Sequence, residues 1–444
     1  VRKIALLTAI SVGLAFASSC FPLLATTVSS LGAWSLAAIA ASGLLAWLVS
    51  RAYAELAGIY PTAAGVRTYV AQAFGDRRGL WLALLYLFLV VSLGASEAFI
   101  LSRVIHSVFP GLAPLPVCLG FVALCALANV CGIELAGKLQ AFFTYGMISS
   151  LAVVAVAVLG GPPSVDRAAL TGLTPLVAGV SGAMFLFVGF EWVVSAVEEV
   201  DPRGLALPRA MSVSVGVLAA IYLLVAFALW KGLAPAELAS GVTQHLVLGS
   251  RLGRAGLYVT AALSTAATIT CFNGGILGAS RLCYALAREG VLPRRLATLS
   301  PRFLTPWVAI LVMSGITGAS AVALSTTEAV KVPILVGAAI ECAVYAAVVL
   351  ACARLRRKAP EKARPYKAPY GQRGAVALAV VFSGLSLACV LGAGEWTAAV
   401  ATVLGIAVTA TGVLAWRRPQ ASLSPRSGGR VGVGGSPARE VAHA

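Results

Sequence analysis

Long apolar runs follow one another along almost the whole chain, each ended by charged residues, proline or glycine. A run of roughly 20 apolar residues is what an α-helix needs to cross the hydrocarbon core of a bilayer. The punctuation predicts twelve membrane-spanning helices, at residues 4–28, 34–56, 80–107, 113–131, 139–160, 175–197, 211–231, 256–287, 306–325, 332–354, 374–392 and 396–416. An even number of spans puts both termini on one side. The first run, after Val1-Arg2-Lys3, is too long for the apolar region of a signal peptide and lacks a convincing cleavage site, so it is read as span 1. Between spans 2 and 3 the stretch Tyr53 to Gly75 is semi-polar and aromatic. It predicts an amphipathic helix on the inner membrane surface, started after Pro61.

Composition strengthens this picture. Of 444 residues, 59% are hydrophobic and 11% charged, and the mean hydropathy is +0.93. These values exclude a soluble domain, a secreted disulfide scaffold, a disordered chain and a nucleic-acid-binding domain. The formal charge of +17 is explained by where the charges sit. With the N-terminus inside, all but six of the 33 Lys and Arg residues fall in cytoplasmic loops, cytoplasmic helix ends or the tail; the six are Arg103, Arg167, Lys231, Arg251, Arg254 and Lys331. Loops rich in Lys and Arg stay inside, so the chain is expected to be a multi-pass protein of the plasma (inner) membrane with both termini cytoplasmic. The loop Arg354 to Arg373 is the strongest anchor, and residues 419–444, rich in Gly, Ser and Arg, are expected to be a disordered basic cytoplasmic tail.

Nine cysteines and three histidines offer little to a metal. The cysteines lie mostly inside apolar runs, never as CxxC, and read as small buried hydrophobes. No metal or other cofactor is expected, and no nucleotide cradle, nucleophile triad or cluster of His, Asp or Cys at membrane depth supports an enzyme.

Three glutamates lie at membrane depth inside apolar spans: Glu97 in span 3, Glu191 in span 6 and Glu341 in span 10. An ionisable group at membrane depth is costly and faces a cavity or a partner, so each is protonated, hydrogen-bonded or lining a polar path. Spans 1 and 6 also carry small, polar or glycine interruptions, at Gly13 to Pro22 and at Phe185 to Glu191. Pro22 disfavours helix at Phe21 and predicts a break there. Broken helices at matching places in two halves point to a transporter's binding site, because freed N–H groups attract carboxylate and freed carbonyls attract cations or amines. Spans 1 and 6 are five apart, which fits a five-plus-five inverted repeat.

These residues resemble a family. The stretch Phe187 to Ala210 (FVGFEWVVSAVEEVDPRGLALPRA) is similar to the FxGFE...EExxNPxrxiPra signature of the amino acid-polyamine-organocation (APC) superfamily permeases. Asn273 to Pro306 resembles their span 8 and the loop after it, and YAELAGIYPTAAG and Asn129 to Gln140 resemble two further landmarks. The resemblance runs over roughly residues 4–370. It implies an all-α integral membrane protein of LeuT-like fold, with a first repeat at 1–160, a second at 161–355, and a basic loop and two C-terminal helices at 356–418. Spans 1, 2, 6 and 7 would move as a bundle against a scaffold of 3, 4, 8 and 9.

The resemblance also implies substrate contacts from Ala17, Ser18, Ser19 and Cys20 in span 1 and from Phe185, Phe187, Val188 and Gly189 in span 6. Gating or proton coupling falls on Phe185, Glu191, Glu97 and Glu341, and a cation-site face on Ser18, Thr270 and Asn273. Three departures matter. Ala17 and Ser19 replace two family glycines, and Ala and Ser tolerate fewer conformations. Met147 stands where proton-coupled relatives often carry a span 5 lysine, so coupling would use a carboxylate or a bound cation, or the protein would be an exchanger. Arg67 stands where relatives often have tyrosine.

The implied function is secondary-active transport of an amino acid by alternating access, as proton-coupled symport or exchange. The implied partners are an amino acid or amine substrate, protons or sodium, and the lipid bilayer. No deep pair of acids selects a dication and no deep arginine a dicarboxylate, which favours a neutral or broad range. A polyamine or organocation permease and a non-transporting amino acid sensor or scaffold with a permease fold remain as alternatives.

Overall fold

The first apolar run is two helices, not one. α1 (Arg2–Ala15) and α2 (Cys20–Leu31) meet at a bend of 67° around residues 16–19. The break lies ahead of Cys20, upstream of the position expected from Pro22. Proline at the third residue of α2 falls in a first turn, where N–H groups have no intrahelical acceptor, so its missing N–H costs nothing there. The small Ala17-Ser18-Ser19 segment unwinds instead. It does so without left-handed backbone: among the described residues the only non-glycine with positive φ is Leu304. Alanine and serine therefore fill the family's glycine positions without strain.

The computed structural model describes residues 2–62, 64–132, 137–158, 172–196, 205–239, 242–327 and 331–392. Within these, α3 (Trp34–Ile59) is followed by a short α4 (Gly65–Phe74), the amphipathic helix expected after Pro61. The residues from Tyr53 to Ile59 belong to α3. Next come α5 (Asp76–Val108), α6 (Pro114–Val130), α7 (Gly137–Val158) and α8 (Leu173–Ala183). The second half runs through α9 (Leu207–Gly232), two short helices α10 (Pro235–Ala239) and α11 (Gln244–Ser250), α12 (Gly253–Arg288), α13 (Trp307–Thr327), α14 (Lys331–Lys358) and α15 (Gln372–Gly392). Among the described residues eight helices are long and apolar enough to cross a membrane, counting α8 together with the turns that continue it as Leu173–Val194, and the bent α1–α2 pair makes a ninth; α6 is a shorter apolar helix, as is the part of α7 from Thr144 to Val156. The expected span at 396–416 and the tail at 419–444 lie outside the described residues, as do 197–204 of the span 6 signature and 133–136.

Packing sorts the helices into two groups. α3 packs on α8 and α9, and α9 on α1, while α5 packs with α6, α12 and α13. The second group has its own apolar core, in which Leu87 and Val91 of α5 meet Cys118 and Val122 of α6, Phe272 and Ile276 of α12, and Ile310 and Met313 of α13. α14 pairs with α15 and also touches α3, α4 and α5. Burial of this apolar surface, at about 25 cal/mol per Å² where water is the alternative, matters less within lipid, where close packing and polar bonds between helices decide the arrangement.

Candidate functional site

The break between α1 and α2 exposes backbone N–H groups, and one side chain takes two of them. Ser18 N–H donates to Oε2 of Glu97 at 2.9 Å and Ser19 N–H to Oε1 at 3.0 Å. Glu97 sits on α5 and is 1% exposed. The Thr268 hydroxyl on α12 adds a third bond, 3.1 Å to Oε2. Ser18 Oγ lies 2.5 Å from Thr268 Oγ1 and 2.8 Å from both Ser264 Oγ and the Ser264 carbonyl. Nε2 of His245, on α11, is 3.0 Å from Ser264 Oγ, and its ring stacks on Phe21 with centroids 4.2 Å apart. Three hydroxyls, those of Ser264, Ser18 and Thr268, thus join His245 on α11 to Glu97 at the break. Burial away from water disfavours the imidazolium of His245 and pulls its pKa down to about 3.

Aromatic rings close the other side of the break. Phe16 stacks on Tyr222 of α9 (5.6 Å), and Phe187 meets the same tyrosine edge-on (5.7 Å). The Cys20 sulfur is 3.4 Å from the Tyr222 hydroxyl.

Span 6 unwinds as well. After α8 the chain tightens into a 3₁₀ turn at Met184–Phe187, Val188 is extended, Gly189 has φ +100°, and a second 3₁₀ segment runs over Phe190–Ala196. Here too a carboxylate takes the freed N–H: Gly189 donates to Oε2 of Glu191 at 3.1 Å. The hydroxyls of Tyr86 and Tyr345 donate to the two oxygens of Glu191, each at 3.2 Å. Tyr345 belongs to a cluster of rings with Tyr53, Phe190 and Phe382. Glu341, 1% exposed, is one turn from Tyr345 on α14.

The residues singled out in the sequence are partly gathered and partly spread. Ala17, Ser18, Ser19, Cys20, Phe187, Val188, Gly189, Glu97 and Glu191 line the two breaks, which touch where Gly189 backs onto Leu14. Phe185 packs toward α14, near Gly337. Ser18, Thr270 and Asn273 do not converge: Thr270 Oγ1 reaches the Gly13 carbonyl (3.3 Å), Asn273 accepts from Asn129 (2.7 Å), and Ser18 joins the Ser264–Thr268 hydroxyls. Met147 is on α7, and its side chain lies outside the described residues.

Several polar groups gave no signal in the sequence. Glu55, near the C-terminal end of α3, is fully buried and takes Arg356 Nε at 2.9 Å, the Ala368 N–H at 2.7 Å and Arg364 at 3.3 Å. Arg51, 3% exposed, donates to the Pro208 carbonyl (2.9 Å) and lies over the rings of Trp47 and Tyr366. Arg67, the departure from tyrosine, pairs with Glu289 just beyond α12. Only the dense charge of the 354–373 loop hinted at such a cluster.

Two broken helices meeting back to back, set against a separately packed group, define a LeuT-like fold. The architecture matches that of a mutant manganese transporter of Eremococcus coleocola with a TM-score of 0.60 at 12% identity, covering 93% of each chain. The amino acid permease model matches residues 4–416, and the chain belongs to that family. Among its relatives are the Asc-type amino acid transporter 1 of Mus musculus (30% identical, 61% of this chain and 54% of that one) and an uncharacterized transporter of Mycobacterium tuberculosis (29%, 72% and 73%). The D-serine/D-alanine/glycine transporter of Escherichia coli is 25% identical over 59% of each. The chain spans about half the length of the Asc-type relatives it matches.

Proposed function

We propose that this protein is a secondary-active amino acid transporter that works by alternating access, by proton symport or exchange. The observation that carries the reading is the pair of opposed breaks, each with its N–H groups held by a buried carboxylate. Backbone donors at a broken helix suit a substrate carboxylate, and the freed carbonyls beside them suit its ammonium group. Ala17 to Cys20 and Phe187 to Gly189 form the substrate contacts in this reading, with Phe185 as the covering aromatic. Glu97, Glu191 and Glu341 are the candidates for proton coupling. The repeats at 1–160 and 161–355 supply one broken helix each, and both termini lie on the cytoplasmic side of the plasma membrane. Family membership and the names of the relatives favour amino acids over polyamines.

The test is counterflow with purified protein in liposomes preloaded with each common amino acid or with polyamines, with and without a pH gradient. Exchange of an amino acid with accumulation driven by a proton gradient supports symport; exchange without such accumulation makes the protein an antiporter. Binding without movement would overturn transport in favour of a sensor.

A further inference from the structure

We propose that Glu97 is a built-in occupant of the anion-binding break, so that a substrate carboxylate binds only by taking the Ser18 and Ser19 N–H groups from it. The inference rests on the transporter reading above and adds a competitor carried by the chain itself.

The geometry is that of a bound carboxylate. Two oxygens of one group accept from two successive backbone N–H groups, at 2.9 and 3.0 Å, beside the positive end of α2. An amino acid's α-carboxylate has the same two oxygens at the same spacing. Two carboxylates cannot share these donors without like-charge repulsion in a buried site, so one must leave. Thr268 adds a donor that favours the resident group, and hydrogen bonds to a charged acceptor are about twice as strong as neutral ones. Protonation loosens the occupant, because the acid form turns one acceptor oxygen into a donor facing an N–H.

Among the described residues no cation is paired with Glu97. Cys20 on α2, Tyr222 on α9 and Cys271 on α12 are within its electrostatic reach, and His245 on α11 is linked through Ser264, Ser18 and Thr268. Of the other helices packed on α5, α4 and α14 bring Tyr69, Glu341 and Tyr345 to the cluster around Tyr53 and Glu191. α6 places Cys118 and Cys125 in the separate apolar core, and α13 has no titratable side chain.

The full chain is reconstituted, and counterflow of glycine, alanine, serine and leucine is measured with each amino acid's decarboxylated amine as competitor. For Glu97→Gln, half-saturation at neutral pH is expected to fall about ten-fold, since the neutral amide keeps an acceptor for only one of the two N–H groups and that bond is no longer charge-assisted. Wild-type half-saturation falls with pH, and that of Glu97→Gln does not. Thr268→Val, which keeps the carboxylate, shifts half-saturation in the same direction by a smaller factor, so the idea stays testable if Glu97→Gln does not fold. An unchanged or raised half-saturation in both variants overturns the proposal. So does stronger competition by amines in wild type than in Glu97→Gln, which would make Glu97 the counter-ion of an amine. If neither wild type nor variants move any of the four while amines bind, the transport reading itself fails and takes this inference with it.

Discussion

Gly189 lies flat against Leu14: a Cβ added at Gly189 would stand 2.8 Å from the Leu14 carbonyl oxygen and 3.2 Å from the Cα of Ala15. With φ at +100°, the residue also occupies backbone space that side chains disfavour. The two broken helices therefore touch through backbone alone at this point, and any side chain must push them apart. Gly189→Ala is expected to abolish counterflow and to cost roughly 1–3 kcal/mol of stability. Gel filtration and thermal unfolding in detergent, run beside the flux assay, separate the two effects; wild-type flux would mean that the close approach is dispensable.

Glu191 accepts from two tyrosine hydroxyls and one N–H. A hydroxyl can turn from donor to acceptor, whereas the Gly189 N–H cannot. Glu191→Gln can keep its amide oxygen on Gly189 and offer its NH₂ to a tyrosine, so expression is expected to hold. The pH dependence of uptake should flatten. A pH profile identical to wild type removes Glu191 from proton coupling.

At the C-terminal end of α3, Glu55 is held by Arg356 of α14 and by Arg364 and the Ala368 N–H of the segment after it. Removing one partner of a buried pair leaves the other charge uncompensated, at a cost of roughly 3–5 kcal/mol. Glu55→Gln should lower the unfolding temperature strongly. The double variant Glu55→Gln with Arg356→Gln should recover part of the loss, and additive losses would show that the pair is not coupled.

The long apolar helices of the described residues are legible in the sequence because an apolar run long enough to cross a bilayer needs no partner to be recognised, while the count of twelve spans reaches beyond those residues. The break in span 1 was legible from its small and polar residues, but Pro22 drew it downstream, since proline breaks a helix interior and is tolerated in a first turn. What stayed hidden was who answers the freed groups. Thr268 is 171 residues from Glu97, and Arg67 is 222 from Glu289. Each is an ordinary residue locally, and only packing makes it a partner. His245 was equally silent, on a seven-residue helix in a connection between spans.

His245 gives a pH dependence whose sign can be worked out. Its folded pKa of about 3 lies below the ordinary 6.5, so the folded state refuses a proton that the unfolded chain accepts. Above pH 6.5 both states are neutral and nothing is lost. As pH falls from 6.5 toward 3 the folded state is penalised progressively, by about 2 kcal/mol at pH 5. Thermal unfolding of wild type should weaken through this window. His245→Gln, which keeps a group able to reach Ser264, should reduce that slope, and an identical slope in the variant would assign the acid sensitivity elsewhere.

Phe185 and Phe187 are two residues apart in span 6 and face different neighbours, which lets cover and packing be told apart. Phe187 is fully buried, its ring edge-on to Tyr222 and close to Gly43 of α3. Truncating such a ring leaves a cavity, so Phe187→Ala is expected to cost about 3–5 kcal/mol of stability. Phe185 packs near Gly337 on α14. Phe185→Ala should raise the half-saturation for counterflow, and Phe185→Leu should restore part of it, since cover needs apolar bulk rather than an aromatic face. Wild-type kinetics in Phe185→Ala, with raised half-saturation in Phe187→Ala, would move the covering role to Phe187 and shift the register of substrate contacts in span 6 by two residues.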